Sequence, residues 1–140
     1  MSEQNLNIVM NLYGAVARGE FPLDSLDPQV EWTEANVPDL WFGGTHHGPD
    51  AVLREVMGPT SEHVDGFRLQ CDEFLDAGDR IIVTGRFLGR GKETGVGLDA
   101  AFAHIWTLRD DKVTRFQGYT DTANWLYALY RIQVEHPVGV

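Results

Sequence analysis

Between Ala101 and Asp121, apolar and polar positions alternate through two runs separated by the polar stretch Arg109-Asp110-Asp111-Lys112. That period predicts two antiparallel strands joined by a tight turn. One face of the first run carries Phe102, His104, Trp106 and Leu108, and the returning run passes Gln117 and Tyr119 to end at Asp121. An imidazole among large aromatics and a strand ending in a carboxylate are more than a core requires, so this stretch is the candidate wall of a pocket.

The rest of the chain is patterned around that pair. Leu6, Val9, Met10, Tyr13, Val16 and Ala17 recur at three- and four-residue intervals, which predicts an amphipathic helix capped at Ser2 or Asn5 and ending near Arg18-Gly19. Val30 to Ala35 reads as a brief strand with Val30, Trp32 and Glu34 on one face. Asn36 to Gly48 has proline, paired glycine and no sustained period, and is expected to be a loop. Its Trp41 and Phe42 must pack over the core edge or a cavity mouth. Pro49 to Met57 predicts a second helix stopped by Gly58-Pro59. Phe67, Leu69 and Cys71 alternate before a phase slip at Glu73-Phe74, the sign of a bulge or a strand end. Arg80 to Gly89 is a further strand, and Asn124 to Arg131 a terminal helix.

Helix, short strand, loop, helix, four strands and a last helix give an α+β fold, in which a strongly curved antiparallel sheet has its concave face crossed by the N-terminal helices. A single domain over 1–140 is expected at this length. The outer face around Ile81, Val83 and Phe87 is expected to be apolar and to make a homodimer.

Composition narrows the partners. With 21 acidic against 11 basic residues the formal charge is −10, which disfavours nucleic acid and anionic membranes. The lone Cys71 has no disulfide partner in the chain, and neither a signal-like segment nor an apolar run of bilayer length occurs. A cytoplasmic location is the expectation.

The candidate chemistry centres on His104 and Asp121. A turn at Asp110-Asp111 makes opposing positions sum to about 221, which sets His104 across from Gln117 and Asp121 roughly 13 Å further along. The two groups therefore need not touch to share a ligand. Imidazole exchanges protons near neutrality, and a partly buried carboxylate becomes a usable base. Asp121 is equally suited to capping the final helix. Tyr13 and Tyr119 are candidate donors to a carbonyl or enolate oxygen, and Trp32, Trp41 and Trp106 suit an apolar ligand or simply a core. Glu34 is a base if it points inward, and Arg86 can pair with Glu73, Asp99 or Asp121. Adjacent His46 and His47 do not form a ligand set with any other residue, so no metal site or other cofactor is expected. RGKETG lacks the spacing of a phosphate loop.

The order of NIVMNLYGAVARGE, LDPQVEWTE, GTHHGPDAVLREV, EFLDAGDRIIVTGRFLGRG and FAHIWTLRDDKVTRFQGYTDTANWL resembles the SnoaL-like group of the NTF2-like superfamily, which is related to polyketide cyclases and ketosteroid isomerases. The resemblance implies the NTF2-like cone. It matches the acid/base Asp and the His of SnoaL-type cyclases to Asp121 and His104, and the donor Tyr of ketosteroid isomerases to Tyr13. The isomerase base would fall near Thr33 or Glu34, where no Asp stands. Of the Asp-Arg-Asp set of limonene-epoxide-hydrolase-like members, only Asp121 has a match. The function expected is a cofactor-free cyclase- or isomerase-like acid/base enzyme for a small or medium apolar carbonyl compound. In that reading Asp121, His104, Tyr119 and Tyr13 are catalytic, and Trp32, Trp41, Trp106, Glu34, Arg86 and Gln117 contact substrate. The alternatives are a non-catalytic domain that binds an apolar ligand or assembles as a dimer, and an epoxide hydrolase-like activity.

Overall fold

A computed structural model describes residues 2–132. Helix α1 (Ser2–Ala17) leads through a short 3-10 turn to β1 (Leu26–Glu34) and β2 (Gly44–His47). Helix α2 (Pro49–Ala51) widens without a break into a π-helical turn (Val52–Met57), followed by α3 (Thr60–His63). Four long strands then succeed one another, β3 (Val64–Asp76), β4 (Arg80–Gly91), β5 (Gly97–Arg109) and β6 (Lys112–Thr120), before α4 (Thr122–Tyr130). The six strands form one curved, unclosed sheet in the order β2-β1-β6-β5-β4-β3.

The α+β architecture matches the expectation, with instructive departures. The sheet is antiparallel except where β1 runs parallel to β6, which sets the first strand of the chain beside the last. The segment expected to be loop contains β2, whose four residues pair with β1 from Glu31↔His47 to Glu34↔Gly44. It is too short and too polar to show a period. Helix α1 begins at Ser2, so Asn5 lies inside it and donates its side-chain amide to the Gly78 carbonyl instead of capping.

Two irregularities decide which side chains face inward. In β3 the register slips between Cys71 and Glu73, the bulge that the phase change at Glu73-Phe74 foreshadowed. Between β5 and β6, Leu108↔Val113 and Arg109↔Lys112 follow the register expected of the turn, but from Thr107↔Arg115 onward the partner is one residue later. The residue inserted at Thr114 reverses the facing of everything beyond it. His104 therefore lies opposite Gly118, not Gln117. Phe116 and Gly118 turn inward while Gln117 and Tyr119 turn out, and Tyr119 is 56% exposed.

The core lies between the inner sheet face and the helices, around Val9, Leu12, Val30, Trp32, Trp106, Phe116 and Trp125. Ile81 and Val83 are fully buried within it, and Phe87 packs against His104 and Trp125. These three do not form the outer face, as the sequence pattern suggested. The apolar residues at alternate positions, Ile82 and its cross-strand neighbours Leu75 and Ile105, take that place.

Candidate active site

A cavity of about 100 Å³ lies between the helices and the inner face of the sheet. Leu12, Tyr13 and Val16 of α1, Trp32 and Glu34 of β1, Trp41 and Phe42, the π-helical Val52, Val56 and Met57, His104 and Trp106 of β5, Phe116 and Trp125 all contribute to its lining. The lining is almost wholly apolar and aromatic, and a few polar atoms converge within it.

Tyr13 and His104 form the first polar group. The Trp106 indole Nε1–H donates to the Tyr13 hydroxyl oxygen at 2.9 Å, and that hydroxyl lies 2.6 Å from His104 Nδ1. Burial pushes the Tyr13 phenol well above its ordinary range, so it keeps its proton. Burial also drives the His104 imidazole down to about 3 by disfavouring its charged form. A neutral imidazole receiving the phenol proton at Nδ1 carries its own proton on Nε2. No hydrogen bond to Nε2 is made among the described residues, yet no polar side-chain atom there is both fully enclosed and unpartnered. Nε2–H is thus a neutral donor open to the cavity.

Replacing Tyr13 by Phe leaves the Trp106 N–H and His104 Nδ1 without their shared partner. Two buried polar groups left unpaired should cost about 1–3 kcal/mol each at most. Thermal denaturation of Tyr13→Phe is expected to show a clear fall in melting temperature, and an unchanged melt would argue against the bonded chain.

Glu34 is the second polar group. Strand alternation places it on the same face as Trp32, whose indole N–H donates to its Oε2 at 2.9 Å. Its other oxygen lies over the backbone of Gly118, where an added Cβ would approach Oε1 to 2.5 Å. The missing side chain makes room for the carboxylate on the strand position directly opposite His104. Burial raises the Glu34 carboxyl to about 7, against the smaller lowering effects of the Trp32 hydrogen bond and the His46 charge. Glu34 retains some accessible surface and lines the cavity. A carboxyl half ionised near neutral pH can both take and return a proton there.

The remaining candidates separate cleanly. Trp32, Trp41 and Trp106 line the cavity, and Trp41 is fixed by donating Nε1–H to the Val56 carbonyl and by stacking on His63. Asp121 is exposed at the N-cap of α4, where its side chain accepts from the Asn124 amide at 3.2 Å. It is not among the lining residues, and neither are Tyr119, Gln117 and Arg86. Arg86 is on the outer face, paired with Asp99. His46 and His47 diverge: His46 is buried and bonded to Glu55 and the Phe42 carbonyl, while His47 is exposed. No cluster of three or more His, Cys, Asp or Glu suited to a metal occurs among the described residues, and no helix there is long and apolar enough to cross a membrane.

The sequence puts Glu34 on the Trp32 face, as a base only if that face points inward, and favours Asp121 as the base. Sequence reasoning missed Phe116 and Gly118, whose facing depends on the Thr114 bulge, and His46, whose role depends on β2.

Comparison with known proteins agrees with this fold. The profile of the SnoaL-like domain matches residues 13–116. An NTF2-like protein from Burkholderia thailandensis is 30% identical over 88% of this chain and 95% of its own, with a TM-score of 0.81. An NTF2-like protein of unknown function from Burkholderia pseudomallei is 29% identical over 91% of this chain and 98% of its own, with a TM-score of 0.84. TerC, co-crystallised with polyporic acid, is 25% identical over 89% of this chain and 97% of its own, with a TM-score of 0.78. No curated protein sequence matches. With the match running from Tyr13 to Phe116, across most of the cavity lining, the chain belongs to the SnoaL-like domain family.

Proposed function

We propose that the protein is an acid/base enzyme that removes a proton from the carbon beside the carbonyl of a compact, uncharged, apolar compound. The observation that carries this reading is the sharing of one apolar cavity by Glu34, raised to about 7, and the neutral His104 donor. Ionised Glu34 takes the C–H proton. The C–H electron pair moves into the new C=C bond while the carbonyl π pair moves onto oxygen, and His104 Nε2–H hydrogen-bonds the oxygen as its charge grows. Where the substrate carries a C=C bond β,γ to the carbonyl, the dienolate is reprotonated by Glu34 at the γ-carbon as the double bonds shift, an isomerisation; where a second carbonyl is in reach, the enolate carbon attacks it and Glu34 returns the proton to the resulting alkoxide, a cyclisation. The step moves only protons and electron pairs and calls for no cofactor.

Apolar walls exclude water, which strengthens the donor, and the lining offers no cation for a carboxylate or phosphate on the ligand. Trp32, Trp41 and Trp106 supply the flat surfaces for it. Asp121, outside this lining, serves α4 in this reading, and Tyr13 acts through His104.

Hydrogen–deuterium exchange at the α-carbon of a panel of small neutral ketones tests the proposal. Exchange should rise with pH to a plateau with its midpoint at about 7, as Glu34 ionises. It should show no falling limb from His104 between 5 and 9, since that group stays neutral there. Ligand binding without exchange across the panel would instead mark a binding domain, a reading to which the co-crystallisation of TerC with polyporic acid lends support.

In this reading the protein is also a homodimer. It would use the outer sheet face, where Leu75 and Tyr119 are 47% and 56% exposed beside Ile82 and Ile105. Light scattering at micromolar concentration should give twice the chain mass of 15.7 kDa, and a monomer would contradict it.

A further inference from the structure

Buried His46 has no part in the chemistry above, yet both its ring nitrogens meet acceptors. Nε2 lies 2.8 Å from the Phe42 carbonyl oxygen, which can only accept, so Nε2 carries a proton. Nδ1 lies 2.7 Å from Glu55 Oε1 on the π-helical turn. A proton must also sit between that nitrogen and the carboxylate, and with it on Nδ1 the ring is a cation whose counter-charge lies outward on half-exposed Glu55. Strand pairing sets this ring close to the cavity. His46 is directly opposite Trp32 on β1, and Glu34 is the next residue along that strand on the same face. A diagonal cross-strand neighbour of this kind sits roughly 7–8 Å away between Cα atoms.

We propose that His46, held as a cation by Glu55 and the Phe42 carbonyl, is a positioning residue that keeps the base Glu34 ionised inside an otherwise apolar cavity. The proposal rests on the reading of Glu34 as the base. Burial alone would carry that carboxyl further up, and the His46 charge opposes it. The groups facing Glu34 are few. They are the Trp32 indole on β1, His46 on β2, and Tyr13 and His104, which line the same cavity, while Gly118 of β6 leaves room for the carboxylate itself. Tyr13 and His104 are uncharged at neutral pH, so His46 is the one cation in the set. Glu55 itself is faced by Arg54, which is paired with Asp50 on the solvent side. The same imidazole also ties the Phe42 carbonyl to β2, so one group fixes both the loop bearing Trp41 and the charge beside the base.

The test is a carboxyl-carbon NMR titration of Glu34 in the wild type and in His46→Gln, with the imidazole nitrogen spectrum of His46 in the wild type. The variant should move the Glu34 midpoint upward by about one pH unit, as expected for loss of a charge at this separation in a partly screened interior. The pH–kcat profile should move by the same amount with KM little changed, which loss of packing alone would not do. Both His46 nitrogens should carry protons in that spectrum, since each faces an acceptor. A Glu34 midpoint unchanged or lowered in a folded His46→Gln protein overturns the proposal. A neutral His46 in the wild type does so too, and decides the matter if the variant fails to fold. A wild-type Glu34 midpoint in the ordinary carboxylate range overturns the base assignment and this proposal with it, whereas a midpoint near 7 that ignores His46→Gln removes the proposal alone.

Discussion

Glu34→Gln is expected to lower turnover about 10²–10⁴-fold, the range typical of a positioned general base, while leaving the fold intact and more stable at alkaline pH. The amide oxygen can still accept the Trp32 indole N–H that now reaches Oε2, so the indole donor keeps its partner. The stability gain follows from the sign of the linkage. The folded carboxyl is raised to about 7 from an ordinary 4.5, so between those values the folded state binds more protons than the unfolded chain and stability falls as pH rises. Above 7 the wild type bears the whole cost of an ionised buried carboxylate, up to about 3 kcal/mol for a displacement of this size. The glutamine variant bears none. Its melting temperature should exceed that of the wild type at pH 8–9, with the difference closing by pH 4.5. His104 acts in the opposite direction in both proteins. Its folded value of about 3 lies below the ordinary 6.5, so stability is lost as pH falls below 6.5. Denaturation curves for the two proteins between pH 4 and 9 check the whole pattern.

Gly118→Ala is the second large expected effect, and it neither adds nor removes an ionisable group. Its Cβ would stand 2.5 Å from Glu34 Oε1 and 3.1 Å and 3.3 Å from the Phe116 ring. Gly118 has no positive φ, so the backbone accepts alanine and the conflict is one of space. The carboxylate is the end of a flexible side chain and can swing aside at little cost to the fold. Swinging aside moves the base from its place opposite His104, and a displacement of about 1 Å can cost on the order of 10²-fold in rate. We expect kcat to fall by roughly that factor with a melting temperature close to the wild type. Full activity in a folded Gly118→Ala protein would show that the carboxylate's seat over Gly118 is not the productive one.

These two residues show how far the sequence could be read. Alternation along Val30, Trp32 and Glu34 was enough to put Glu34 on the tryptophan face. The period of Ala101 to Leu108 was likewise enough to put His104 inside beside Phe102 and Trp106. What raises Glu34 is its burial at a cavity that α1, β5 and the π-helical turn help to line, and such burial comes from packing between distant segments that no local pattern records. Gly118 was illegible for another reason. Its inward facing depends on the single residue inserted at Thr114, and one such insertion exchanges Gln117 and Tyr119 for Phe116 and Gly118. The same parity argument misplaced Ile81 and Val83. A strand apolar on both sides does not say which side is inner, and β4 resolved toward the odd-numbered residues. Asp121 drew attention because it ends the last strand, a position that also suits an N-cap. The structure displays the cap and leaves that carboxylate exposed.

The π-helical turn ties fold to site. The wider helix ends with the Gly58 amide donating to the Leu53 carbonyl at 2.7 Å. The Val56 carbonyl accepts instead from the Trp41 indole and the Thr60 hydroxyl. Val52, Val56 and Met57 line the cavity from the same turn whose Glu55 holds His46. Helix, loop and β2 are thereby fastened around the carboxylate by hydrogen bonds that a regular α-helix would arrange differently.

The most direct measurement is α-carbon deuterium exchange on one responsive ketone, run side by side for the wild type, Glu34→Gln and Asp121→Asn. Asparagine caps a helix as well as aspartate does, so Asp121→Asn separates the two carboxylates without disturbing α4. The account predicts exchange in the wild type and in Asp121→Asn at comparable rates, and its loss in Glu34→Gln. Exchange that survives Glu34→Gln and disappears in Asp121→Asn would contradict it.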